Sequence, residues 1–133
     1  MILVDSNILL DIITIDPKWY NGSSSKLSTL AESHELIIND IIYTEVSIGF
    51  GRIEDLEAAF SGDFFKILPI PKEALFLAGK AFLQYKANNG SNKNSVLPDL
   101  FIGAHASILN IPLITRDLSR YKTYFPKLQL ITP

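Results

Sequence analysis

With 133 residues, 47% of them hydrophobic and 20% charged, the chain has the size of one ordinary domain and is too apolar to stay disordered. It has no cysteine, which excludes thiol nucleophiles, thiolate zinc sites and disulfide scaffolds and agrees with a reducing cytoplasm. The formal charge of −2 argues against wrapping nucleic acid by bulk charge alone, although Arg116, Arg120, Lys122 and Lys127 face only Asp117 in the last stretch. No apolar run reaches the roughly 20 residues that span a bilayer, and Met1-Ile-Leu-Val-Asp5 reads as a first strand without a basic leader. The expectation is a cytoplasmic protein without a membrane partner, built as a single domain over residues 1–133.

Taken in chain order, Ile2-Leu-Val4 is a short strand that Asp5-Ser-Asn7 turns into a helix. Trp19 and Tyr20 fall in a Pro-containing loop, where they stack on a base or, the preferred reading, anchor a partner or the core. Asn21-Gly-Ser-Ser-Ser25 reads as loop, capping a helix from Lys26 to Ser33. Leu36-Ile-Ile38 is a second buried strand stopped by Asn39-Asp40, followed by a helix from Ile41 to about Phe50 and a more polar one through Leu56, Ala59 and Phe60. Phe64 to Leu68 is β-like and ends at Pro69. Residues 74, 77, 78, 81, 82 and 85 form one apolar stripe of a helix over Glu73 to Ala87. Asn88 to Ser95 is a polar loop. Pro98 suits the first turn of a central helix that is apolar nearly all round to Leu109, and Leu113-Ile-Thr115 and Leu128 to Ile131 are two further strands. Short apolar strands alternating with helices imply a three-layer α/β/α sandwich on a central parallel sheet, whose sites form outside the carboxyl ends of the strands.

Those ends carry acids. Asp5 follows the first strand, Asp99 heads the central helix and Asp117 lies two residues past Thr115, while Glu45 sits on or beside the apolar stripe of its helix. Each alone is explained as a cap or a dipole partner. Four converging on one cleft would repel by about 4 kcal/mol per close pair at an effective dielectric near 20, so they require a counterion. With no cysteine and no histidine set, hard Mg²⁺ or Mn²⁺ fits better than Zn²⁺, and phosphodiester hydrolysis is the chemistry such a site serves.

Val4-Asp-Ser-Asn-Ile-Leu-Leu-Asp11, Tyr43-Thr-Glu-Val-Ser-Ile-Gly49, Leu97-Pro-Asp-Leu-Phe-Ile-Gly-Ala-His-Ala106 and Leu113-Ile-Thr-Arg-Asp117 resemble, in order and spacing, the motifs of PIN-domain nucleases, in particular the VapC-type toxins of type II toxin-antitoxin systems. The resemblance implies an Mg²⁺- or Mn²⁺-dependent endoribonuclease with Asp5, Glu45, Asp99 and Asp117 as catalytic, metal-binding acids and Asn7 and Thr115 in support. It also implies a homodimer and a cognate antitoxin partner. Many members carry an Arg before the third acid where this chain has Lys93, so Lys93 and Arg116 are the residues expected to meet the RNA. His105, about 240° round its helix from Asp99, faces away from that acid. Gly103 shares the face of Asp99 and either leaves room for metal or phosphate or permits close packing. Asp11 is structural. A receiver-like phospho-acceptor module is an alternative that lacks the adjacent acids and the late Lys it needs. A PIN-like nuclease acting in RNA processing or on DNA is the other.

Overall fold

In a computed structural model, residues 1–60, 63–89 and 96–133 are described. Ile2–Val4 forms β1 and Ser6–Ile13 forms α1; Tyr20–Ala31 is α2, Leu36–Ile38 β2, Asp40–Ser47 α3, Ile53–Ala59 α4 and Phe65–Ile67 β3. Lys72–Asn89 is α5, Leu97–Leu109 α6, Leu113–Ile114 β4, Ser119–Tyr124 α7 and Leu130–Ile131 β5. The strands make one parallel sheet in the order β3-β2-β1-β4-β5. The expected α/β/α architecture is therefore the observed one.

The central strands are fully buried along their length, which is why they read as uninterrupted apolar runs without alternation. Burial also dictates the helix faces. Ala74, Ala78, Ala81 and Tyr85 are the buried line of α5, and it packs on α6, whose Leu100, Ile102, Ala104 and Ala106 are all excluded from solvent. Asn110 closes α6 in the left-handed conformation, φ 54°, which Asn tolerates better than most residues. No helix among the described residues is long and apolar enough to cross a membrane.

Two local expectations fail. The Asn21 to Ser25 cluster is helical, and α2 begins at Tyr20, not at Lys26, so Trp19 is its N-cap position and Tyr20 its first residue. The cause lies outside the cluster. Asp16 Oδ1 accepts from the backbone N–H groups of Lys18 and Trp19, both at 2.9 Å, and starts the helical turn early, while Ser23 is buried and donates to Asp11 Oδ2 at 2.7 Å. Tertiary satisfaction of Ser23 outweighs the low intrinsic helix propensity of Gly and Ser. Likewise α5 runs on through Asn88 and Asn89, which were expected in the following loop.

Candidate active site

Asp5 stands where β1 becomes α1, in extended conformation, and its Oδ1 accepts the Ser6 backbone N–H at 2.8 Å as an N-cap. Capping is only half of its role. The parallel register that pairs Val4 with Ile114 brings Thr115 alongside, and Thr115 Oγ1 donates to Asp5 Oδ2 at 2.7 Å. Tyr121 Oη donates to the same oxygen at 2.9 Å and Asn7 Nδ2 at 3.4 Å. Asp5 is only 3% exposed. Burial pushes its carboxyl up to about 6, the negative charge of Asp99 adds to this, and the donors from Thr115 and Tyr121 pull the other way.

Glu45 comes from α3, whose N-terminus is capped by Asn39 Oδ1 accepting from the Ile42 N–H at 2.9 Å. Ser6 Oγ donates to Glu45 Oε1 at 2.8 Å and lies 3.4 Å from Asp5 Oδ1, so one hydroxyl bridges the two acids. Asp99 sits in the first turn of α6 after Pro98 and receives Arg120 Nη1 at 2.7 Å on Oδ2. Burial raises the carboxyls of both Glu45 and Asp99; the charge of Asp99 adds to the effect on Glu45, and that of Asp117 to the effect on Asp99. Asp117 is exposed at the mouth, where its backbone N–H donates to Thr115 Oγ1 at 3.1 Å and Ser119 Oγ approaches its Oδ1 at 3.4 Å.

Asp5 and Glu45 share the Ser6 hydroxyl, the charge of Asp99 acts on both, and that of Asp117 acts on Asp99; Asp5 and Asp117 follow β1 and β4 at the carboxyl edge of the sheet, where the strand order reverses about β1. Asn7 and Thr115 both hydrogen-bond Asp5 Oδ2, and Asn7 Nδ2 also reaches Thr115 Oγ1 at 3.2 Å. Among the described residues no three acidic side chains close around one point as a finished metal cage. The donor set is nonetheless carboxylate and hydroxyl oxygen throughout, with carboxyl groups raised by burial and mutual repulsion, and it fits a hard divalent cation and no soft one.

Arg116 is held against α1 by an ion pair. Its Nε and Nη2 make a two-pronged pair with Asp11 Oδ2 and Oδ1, each at 2.8 Å, and its guanidinium stacks 5.0 Å from the Trp19 ring. Nη1 has no partner among the described residues. Asp11 is structural, as expected. Lys93 lies outside the described residues.

Ser6, Arg120 and Tyr121 carry no functional signal of their own in the sequence: Ser6 belongs to the cap of α1, and the other two lie in a stretch distinguished only by its basic charge. His105 is fully buried and accepts from Asn39 Nδ2 at Nδ1, 2.9 Å away, if the amide is oriented to cap α3; burial lowers its pKa. Gly103 is explained by close packing, because an added Cβ would overlap the Phe125 ring and come within 3.1 Å of Tyr121 Cδ1. The room that a missing side chain leaves there is filled by Phe125.

No curated protein matches this chain. Among solved structures it is similar to VapBC2 from Rickettsia felis bound to a promoter DNA fragment, at 22% identity and TM-score 0.72 over 99% of this chain and 98% of that one. It is similar to a toxin-antitoxin complex from Klebsiella pneumoniae, at 22% identity and TM-score 0.72 over 100% and 98%. It is also similar to the sarcin-ricin loop cleaving toxin VapC20 of Mycobacterium tuberculosis, at 12% identity and TM-score 0.62 over 92% and 95%. These likenesses show a shared fold. The PIN domain family model matches residues 2–126, a span that takes in Asp5, Glu45, Asp99 and Asp117, and the chain belongs to the PIN-domain family.

Proposed function

We propose that this chain is a metal-dependent endoribonuclease, the toxin of a type II toxin-antitoxin pair, acting in the cytoplasm as one domain over residues 1–133. The observation that carries the reading is the gathering of Asp5 and Glu45 about the Ser6 hydroxyl, with the Asp99 charge acting on both, an arrangement of like charges that costs stability and that a bound cation would relieve. Asp5, Glu45, Asp99 and Asp117 would hold Mg²⁺ or Mn²⁺. The chemistry such an ion supplies when bound is polarisation of the scissile phosphate and a lowered pKa for the attacking water. Thr115, Tyr121 and Asn7 keep Asp5 Oδ2 oriented, and Ser6 holds Glu45 toward Asp5. Lys93 and the Nη1 edge of Arg116 are the proposed RNA contacts.

RNA as substrate draws support from the neighbour that cleaves the sarcin-ricin loop, and an antitoxin partner from the neighbours that are toxin-antitoxin complexes. An apolar groove of about 290 Å³ lined by Leu9, Ile12, Leu27, Phe60 and Phe65 among others supports a protein partner. Leu75, Phe76 and Leu83 of α5, exposed by 43%, 69% and 64%, support a homodimer.

The test is incubation of purified protein with total RNA in Mg²⁺, in Mn²⁺ and in chelator, with the new ends mapped, for wild type and Asp99→Ala. Metal-dependent cleavage that Asp99→Ala abolishes in a folded protein is the expected result. Full cleavage by that variant, or in chelator, sinks the mechanism, and cleavage of DNA alone moves the protein outside a toxin-antitoxin pair.

A further inference from the structure

We propose that Arg120 is the built-in counterion of Asp99 and competes with the divalent cation for it, so that loading the site requires this ion pair to open. The inference rests on the metal-dependent reading above. Three arginines exist in the chain. Arg52 pairs with Glu54 at 3.5 Å on the open surface, and Arg116 is committed to Asp11. Arg120 is the arginine at the acidic edge, and its Nη1 meets Asp99 Oδ2 at 2.7 Å, within charge-assisted range.

Asp99 is also the acid where the repulsions meet, since its charge is felt by Asp5 and Glu45 and it feels that of Asp117. Against the raising effects of burial and of the Asp117 charge, the Arg120 guanidinium hydrogen-bonds Asp99 and draws its carboxyl down. The same position makes it a competitor. An Oδ2 engaged by Nη1 does not face a metal, and a fixed positive charge beside a ligand oxygen opposes a second cation.

The pair is able to open. Its side chains keep 28% and 22% of their exposure, so a displaced guanidinium swings into water and is not stranded in an apolar interior. The backbone of α7 need not follow, because the next residue, Tyr121, is buried and tied to Asp5. A site that is open to metal only about a tenth of the time shows an affinity weakened about tenfold.

Calorimetric titration of Mn²⁺ into the full chain, stripped of metal, compares wild type with Arg120→Gln and Arg120→Lys, alongside melting curves without metal and at saturating Mn²⁺. Arg120→Gln is expected to bind Mn²⁺ about tenfold more tightly, equivalent to about 1.4 kcal/mol at 25 °C, to melt lower without metal and to gain more from Mn²⁺. Arg120→Lys, which keeps the charge, is expected to stay near wild type. Unchanged or weaker Mn²⁺ binding by a folded Arg120→Gln overturns the proposal while leaving the metal site standing. Should that variant not fold, Mg²⁺ titration of the wild type followed by the guanidinium ¹⁵N resonances decides: movement of the Arg120 signal toward its free value supports the competition, and an unmoved signal at saturation overturns it. Absence of metal binding by wild type and variant alike overturns the metal-dependent reading and this inference with it.

Discussion

Tyr121 donates its phenolic hydrogen to Asp5 Oδ2 across 2.9 Å, joining the last helix to the end of the first strand. Burial, and then the charge of Asp5, hold the phenol well above its usual pKa, so it remains a donor through the physiological range. α7 thereby addresses two acids with consecutive residues, Arg120 on Asp99 and Tyr121 on Asp5.

Tyr121→Phe removes that donor without changing the ring. Asp5 keeps Thr115 and Asn7, so the fold should survive with a loss of about 1–2 kcal/mol, the range for a hydrogen bond to a group that is charged part of the time. RNA cleavage should fall by more than the loss of stability explains, because Asp5 loses part of its orientation. Melting curves and cleavage assays on the same preparation check this, and wild-type cleavage by the variant would remove Tyr121 from the site.

The metal-free protein should lose stability as pH rises from about 4 to about 6. Asp5 moves from 3.8 to about 6 on folding because it is buried, so the folded state binds more protons between those values, and its contribution is complete below the lower one and lost above the upper one. The difference corresponds to about 3 kcal/mol, and the raised carboxyls of Glu45 and Asp99 act in the same direction. Urea midpoints at pH 4.5 and 7.5, measured in chelator, should show the decline in wild type and a shallower one in Asp5→Asn. Parallel slopes in the two proteins would contradict the assignment.

Gly103→Ala tests how tightly α7 is seated. The new Cβ would overlap Phe125 and press on Tyr121, both buried, so overpacking should cost about 1–3 kcal/mol. Since Tyr121 carries the bond to Asp5, cleavage should drop together with stability. A variant as stable and active as wild type would show that the aromatic rings yield freely.

Arg116→Ala leaves Asp11, 2% exposed, with Ser23 as its remaining donor. Breaking a fully buried pair costs about 3–5 kcal/mol; Arg116 is 30% exposed and water reaches the gap, so about 2 kcal/mol is expected. Arg116→Lys should recover only part of this, because an ammonium does not reproduce the two-pronged contact. Denaturant unfolding of the three proteins measures the order, and a Lys variant equal to wild type would reduce the pair to a simple charge contact.

Much of this architecture is written locally. Ile2–Val4, Leu36–Ile38 and Leu113–Ile114 are apolar without alternation because both faces of a parallel sheet are covered, and the stripe from Ala74 to Tyr85 declares the buried side of α5. The acids were legible for a related reason. Asp5 and Asp117 follow strands, and Asp99 follows a proline at a helix start, so chain position alone sends them to one edge of the sheet; Glu45 was visible as a carboxylate out of place beside Ile42 and Val46.

The order of elements, the sheet they form and the acids at its edge are thus legible without a structure, because periodicity and chain position are properties of short segments. Tertiary structure alone decided the partners. Asn21 to Ser25 reads as loop until Ser23 finds Asp11, and nothing local to Arg116 reveals that the same carboxylate holds it. Arg120 and Tyr121 become part of the site only when α7 packs on Gly103 of α6. A hydrogen bond between residues more than a hundred positions apart depends on register and helix docking, and no local pattern encodes either.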